Sequence, residues 1–163
     1  MRSRNVLYRE NQPMVSWVIF LLLFVFISNL AVLLLLASLP HVPLWPKLLL
    51  VAVMLALSLM IVTFRRLSIE LTDAGISFGF ALLRKHLRWQ DIQDIQEKPY
   101  FFSRFVGWGI RYDMRGTFGF IARSGMGLQI QTRRWRYFIS TDHPQRVLDI
   151  ARAQMRQASH LHR

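Results

Sequence analysis

Two apolar runs dominate the first half of the chain. Val15 to Ala37 is 23 residues without a charge, and Leu48 to Phe64 is another 17. Counted from Leu44, the second run reaches 21 residues, with only Lys47 charged and near its end. A bilayer core is about 30 Å thick and takes roughly 20 helical residues to cross. The pattern predicts a transmembrane helix over about 14–37 and a second over about 44–64, behind a short tail at 1–13. The run Phe20 to Ile27 has no polar face to turn to water, which argues against a soluble helical pair. The h-region of a cleaved signal peptide is about 7–15 residues, shorter than the first run. Pro40, Pro43 and Pro46 stop the first helix and shape the link. Asn29, near mid-helix, is placed to hydrogen-bond across to Ser58 of the second.

From Leu67 the period changes to two. "LSIEL" alternates Leu67, Ile69 and Leu71 against Ser68 and Glu70, and "TDAG" follows as a turn with Gly75 at a position open to positive φ. "ISFGF" puts Ile76, Phe78 and Phe80 on one face. "LLRKHLRW" predicts a tight turn at Arg84-Lys85, then Leu87 and Trp89 inward. In "QDIQDIQ" the spacing of Ile92 and Ile95 predicts a strand with a bulge. An aromatic loop, "EKPYFFSRFVG", precedes a glycine-rich hairpin between Val106 and Gly125. Its alternation sends Ile110, Tyr112 and Met114 to the core and Arg111 and Arg115 outward. "GLQIQT", a turn at "RRWR", and "YFIS" complete an antiparallel set. The chain closes on a helix. Asp142 is its N-cap, Pro144 sits in its first turn, Gln145 stands at the capping-box position, and Val147, Leu148, Ala151 and Met155 form an apolar stripe. The β-domain spans 65–158, with a tail at 159–163.

Charge fixes an orientation for this arrangement. The formal net charge is +12, and 65–163 hold 17 Lys and Arg against 8 Asp and Glu, a difference of +9. Arg2, Arg4 and Arg9 precede the first apolar run, and Arg65 and Arg66 follow the second, while the link between them carries little charge. Positive charge marks the cytoplasmic side, so both termini are expected in the cytoplasm of a bacterial inner (plasma) membrane. With no cysteine there is no disulfide or thiolate chemistry. His41, His86, His143, His160 and His162 are scattered, no nucleophile elbow is present, and "GWG" and "GMG" lack the Lys-Ser/Thr of a phosphate loop. An enzyme is not expected, nor a cofactor, a metal site or a nucleic-acid partner.

The elements "LSIELTDAGISF", "LRWQDIQDIQ", "GWGIRY" and "RYFISTDHPQRVLDIARAQM" resemble, in order and turns, small bacterial two-helix membrane proteins with a pleckstrin-homology-like domain. The resemblance covers roughly Leu67 to Met155. It implies about seven strands in a half-open antiparallel barrel plugged by a C-terminal helix, and it implies binding of lipids or proteins rather than an activity.

Two candidate sites follow. Arginine forks suit phosphate and carboxylate. Arg111, Arg115, Arg133, Arg134 and Arg136 form one expected cationic patch, with Arg84, Lys85 and Arg88 as a second cluster, for anionic headgroups or a protein. Tyr100, Phe101, Phe102 and Phe105 form an aromatic interface loop. The function expected is a non-catalytic membrane-anchored adaptor, an accessory subunit bound to another integral membrane protein. The alternative is a stand-alone module for anionic lipid.

Overall fold

The structure, a computed structural model, describes residues 5–160, apart from the side chains of Ser103, Arg104, Ser159 and His160. Of the tail expected at 159–163, Ser159 and His160 instead end the last helix, and 161–163, His162 with them, lie outside what is described, as do Arg2 and Arg4.

The chain begins with a strand that the hydropathy pattern did not show, β1 (Val6–Pro13). Two helices follow, α1 (Ser16–Ser38) and α2 (Leu44–Phe64), then β2 (Arg66–Thr72), β3 (Gly75–Phe80) and β4 (Leu83–Arg88). A single 3-10 turn at Trp89–Asp91 leads into β5 (Ile92–Pro99). The short helix α3 (Phe102–Phe105), β6 (Gly109–Tyr112), β7 (Thr117–Ile121), β8 (Met126–Thr132), β9 (Arg136–Ser140) and α4 (Pro144–His160) complete it.

No residue of α1 is buried, and Thr63 is the only buried residue of α2. Both helices are apolar all round and long enough to cross a membrane. Asn29 and Ser58 do not meet: Asn29 Nδ2 donates to Val25 O (2.9 Å), and Ser58 Oγ donates to Met54 O (2.8 Å). Each polar group satisfies itself one turn back on its own helix, which suits a chain with no water beside it.

The strands make two open sheets rather than a closed barrel. One has the order β1-β2-β3-β4, the other β5-β8-β9-β7-β6. All pairs are antiparallel except β7 with β9, so the second sheet is mixed. β1 pairs with β2 across the helices, from Val6 opposite Thr72 to Pro13 opposite Arg66. The inner faces meet through Phe78, edge-on to Phe120 (5.1 Å) and Tyr137 (5.6 Å). Leu67, Ile69, Leu71, Ile76, Phe80, Leu128, Ile130 and Ile139 are buried around them, and α4 closes the core with Val147, Leu148 and Ala151. Each such side chain contributes about 1.5–3 kcal/mol on burial.

Several local expectations change. The β3–β4 turn is Ala81-Leu82, because Phe80 pairs with Leu83 and Ala81 N donates to Thr63 O at the end of α2. Arg84 and Lys85 are therefore strand residues. Gly75 is not held by a positive φ; a Cβ there would lie 2.1 Å from Leu87 O, so close strand approach excludes a side chain. Gly109 does need a left-handed backbone (φ +90°), where it passes Phe64. Tyr112 and Met114 are exposed, not core, and Met114 is 104% accessible. Alternation ends at Asp113, whose buried Oδ1 accepts from Arg115 N (3.0 Å) and Thr117 N (2.6 Å) and turns the chain. α4 starts at Pro144, which puts His143 rather than Asp142 directly before it; Asp142 pairs its carboxylate with Arg123, and Gln145 donates to Glu97. The bulge at the start of β5 is present between Ile92 and Asp94.

Candidate functional site

The β-domain has two chemically opposite ends, set by strand direction. Strands β1, β3, β5, β7 and β9 run toward the helices; β2, β4, β6 and β8 run away.

The helix-proximal end carries the apolar contacts to the helices, with Arg65 and Arg66 at its edge, and is joined to them without a linker. Met14 N donates to Arg65 O (3.1 Å) and Val15 N to Ala122 O (3.0 Å), extending the ladder into the helix ends. Phe64 packs on Phe80 (5.0 Å), and Trp17 meets Trp108 edge-on (5.3 Å). The aromatic segment lies here and divides. Phe105 is buried against Ile121 and Phe138, and Tyr100 stacks on it while donating its hydroxyl to Gly107 O (2.8 Å). Phe101 and Phe102 stay 56% and 54% exposed, with Phe102 against Trp108. Val106 holds α3's C-terminus in a left-handed conformation (φ 50°), which a β-branched residue resists. Leu82, in the neighbouring turn, is also exposed.

Below this surface a buried carboxylate ties β1 to the β9–α4 junction. Glu10 accepts from Tyr8 Oη (2.9 Å), Thr141 Oγ1 (2.8 Å) and Asp142 N (2.8 Å). Burial first, then the bond to Glu10, pushes the Tyr8 hydroxyl up to about 12. Gln12 beside it accepts from Ser140 Oγ (2.9 Å), which in turn accepts from Ala122 N. Nothing in the first thirteen residues marked this network in the sequence; the signal would have been three polar residues alternating, Tyr8, Glu10 and Gln12, ahead of a membrane-length run.

The helix-distal end is cationic. Arg115, Arg133, Arg134 and Arg136 surround a hollow of about 270 Å³ with Gln93, Gln131 and Trp135. The turn is fixed by Thr132, whose Oγ1 accepts from Trp135 N (3.1 Å) and donates to Trp135 O (2.9 Å). Among the described residues no ion pair engages these four arginines; the pairs present are Arg9–Glu70, Arg88–Asp91 and Arg123–Asp142. The expected patch is thus smaller. Arg111 is separate, donating from Nε to Trp108 O (3.0 Å) at the helix-proximal end, and Arg88 is occupied by Asp91 (2.9 Å). Arg84 and Lys85 line a third feature, an open groove of about 410 Å³ between β4 and the second sheet, with Leu83, Ile110, Phe118, Phe120, Trp135 and Tyr137. Burial pushes the Tyr137 and Tyr100 hydroxyls up. Among the described residues no group of three or more His, Asp or Glu is placed to hold a metal ion.

No family model, curated protein or solved structure matches this chain.

Proposed function

We propose that the chain is a non-catalytic, membrane-anchored adaptor, an accessory subunit whose arginine-rich end docks on an acidic surface of another inner-membrane protein. The carrying observation is where those arginines sit. β7 is five residues long and separates the helix-proximal end from the arginine turns, which is roughly 15 Å along the strand at about 3.3 Å per residue. Electrostatic attraction to headgroups fades over a Debye length of about 8 Å at physiological salt. The cluster is too far from the bilayer that holds α1 and α2 to be used by it, and among the described residues no ion pair engages it, the nearby Asp91 being paired with Arg88. A carboxylate-bearing protein surface supplies one.

In this reading α1 and α2 cross the bacterial inner membrane as a hairpin. The β1–β2 pairing requires Pro13 and Arg66 to lie on one side, and Arg65 and Arg66 make that side cytoplasmic. Phe101, Phe102, Leu82 and Trp17 sit at headgroup level, where aromatic and apolar side chains set a domain's tilt. The pleckstrin-homology-like reading gains support from one subtraction. Without the β6–β7 hairpin the sheets hold four and three antiparallel strands, followed by α4.

The test is purification of the full chain from its native membrane in mild detergent, at native expression level. A membrane protein is expected in stoichiometric amount. Arg133→Glu/Arg134→Glu/Arg136→Glu should lower its recovery by about tenfold or more, the factor carried by about 1.4 kcal/mol, with the circular dichroism spectrum unchanged. A chain that purifies alone, or a partner indifferent to the charge reversal, rejects the proposal.

A further inference from the structure

The groove between β4 and the second sheet has a neighbour at the root of the helices, and the two share Ile110. A crevice of about 270 Å³ opens at the helix root, lined by Met14, Val18, Leu22, Met60, Phe64 and Trp108, with Ile110 and Arg111 at its upper side. Ile110 also lines the groove above, where Phe118, Phe120 and Tyr137 continue the apolar wall up to Trp135. Leu22 and Met60 belong to α1 and α2. One apolar track therefore leads from the helix flanks into the β-domain.

Its rim is cationic. Arg84 and Lys85 border the groove, Arg111 borders the crevice, and neither hollow is lined by a carboxylate. Lys85 is the informative residue. It lies opposite the fully buried Phe78, on the same strand face as the buried Leu87, where alternation calls for an apolar side chain. An inward-turned lysine on an edge strand opposes pairing with a further strand, so β4 is a poor site for adding a peptide. A lysine whose stem lies along apolar surface while its ammonium stays at the opening is suited to an amphiphile. The volume falls in the range of about 300–1,000 Å³ typical of small-ligand sites.

We infer that this groove takes one acyl chain of an anionic phospholipid from the cytoplasmic leaflet around the roots of α1 and α2, with its phosphate on Arg84 and Lys85. The inference rests on the membrane placement above; Lys85 also borders a hollow with Asp91, Arg133 and Arg134, but the phosphate contact does not use those arginines. The chain enters past Ile110 and lies along Phe118, Phe120 and Tyr137, and Trp135 limits its reach.

The test uses the full chain in nanodiscs containing a phosphatidylglycerol with a photoactivatable group in one acyl chain, compared with the same probe as phosphatidylcholine. Peptide mapping is expected to find adducts within 109–121 and 135–140 for the anionic probe. Lys85→Glu should lower them by about fivefold, the factor carried by one headgroup–cation contact. Ile110→Trp, which narrows the entrance, should abolish them; Leu83→Trp serves if that variant does not fold. Adducts confined to α1 and α2, or groove adducts equal for the two lipids and indifferent to Lys85→Glu, overturn the inference. Failure of the chain to enter nanodiscs overturns the membrane placement as well.

Discussion

The two ends of the β-domain are built from the same strands and share almost no chemistry. At the helix-proximal end, backbone ladders run into α1 and α2, Phe64 packs on Phe80, and a buried glutamate ties β1 to the β9–α4 junction. At the other end, Arg115, Arg133, Arg134 and Arg136 stand at two short turns, and no ion pair among the described residues engages them. One end holds the fold together, and the other contributes little packing to it. If the arginine end serves recognition as proposed, stability and recognition are segregated along one axis, and substitutions at the two ends should have separable effects.

The largest effect is expected at Phe105. Replacing it by Ala empties the buried contact with Ile121 and Phe138, and a buried phenylalanine truncated to alanine costs about 3–5 kcal/mol. Thermal or denaturant unfolding of the purified chain measures it. Phe101→Ser/Phe102→Ser, a few residues away but exposed, should change stability by less than about 1 kcal/mol. Equal losses at both sites would erase the division within this segment.

Glu10→Ala comes next. It leaves Tyr8 Oη, Thr141 Oγ1 and Asp142 N without their acceptor, a loss of about 2–4 kcal/mol by the cost of buried unpaired donors. The same unfolding measurement decides it, and a loss under about 0.5 kcal/mol would remove this network from the account of stability.

A smaller effect is pH-dependent. The Tyr8 hydroxyl is raised from 10.0 to about 12 by burial and by Glu10. The unfolded chain loses that proton first, so the contribution is complete below pH 10 and is lost as pH rises toward 12. Tyr8→Phe should flatten the decline in stability between those values. An unaltered profile would assign the decline to Tyr100 and Tyr137, whose hydroxyls are also raised by burial.

The smallest change in stability is expected from Arg133→Ser/Arg134→Ser, within about 0.5 kcal/mol per site. These side chains are exposed on a turn that Thr132 and Trp135 hold. Partner recovery, not melting temperature, should register the substitution.

Much of this division was legible in the residues. Twenty-odd uncharged positions predict a helix long and apolar enough to cross a membrane, and the period of two in "ISFGF" buries Ile76, Phe78 and Phe80 on one face. What the pattern missed depended on distant partners. β1 contains Arg9, Glu10, Asn11 and Gln12, a poor strand by propensity, and it is a strand because β2 supplies its ladder. The β3–β4 turn fell at Ala81 because Thr63 offers a carbonyl there. Tyr112 and Met114 left the core because Asp113 spends its carboxylate on a turn. The arginines were visible as a list, but only strand direction separates Arg111 from Arg115 and sends them to opposite ends. The parallel pairing of β7 with β9 had no local signal at all.

Pro13 and Arg66 face each other as a register pair, although two membrane-length helices lie between them in sequence. In connectivity alone, α1 and α2 are the loop of a β-hairpin. Closing a loop costs only about 0.6 kcal/mol more for each doubling of its length, so the first sheet tolerates so long an excursion. During synthesis β1 waits without its neighbour until both helices have been made. A finished β1–β2 ladder is then a clasp, written in backbone hydrogen bonds, that brings the two ends of the helical excursion back to one place.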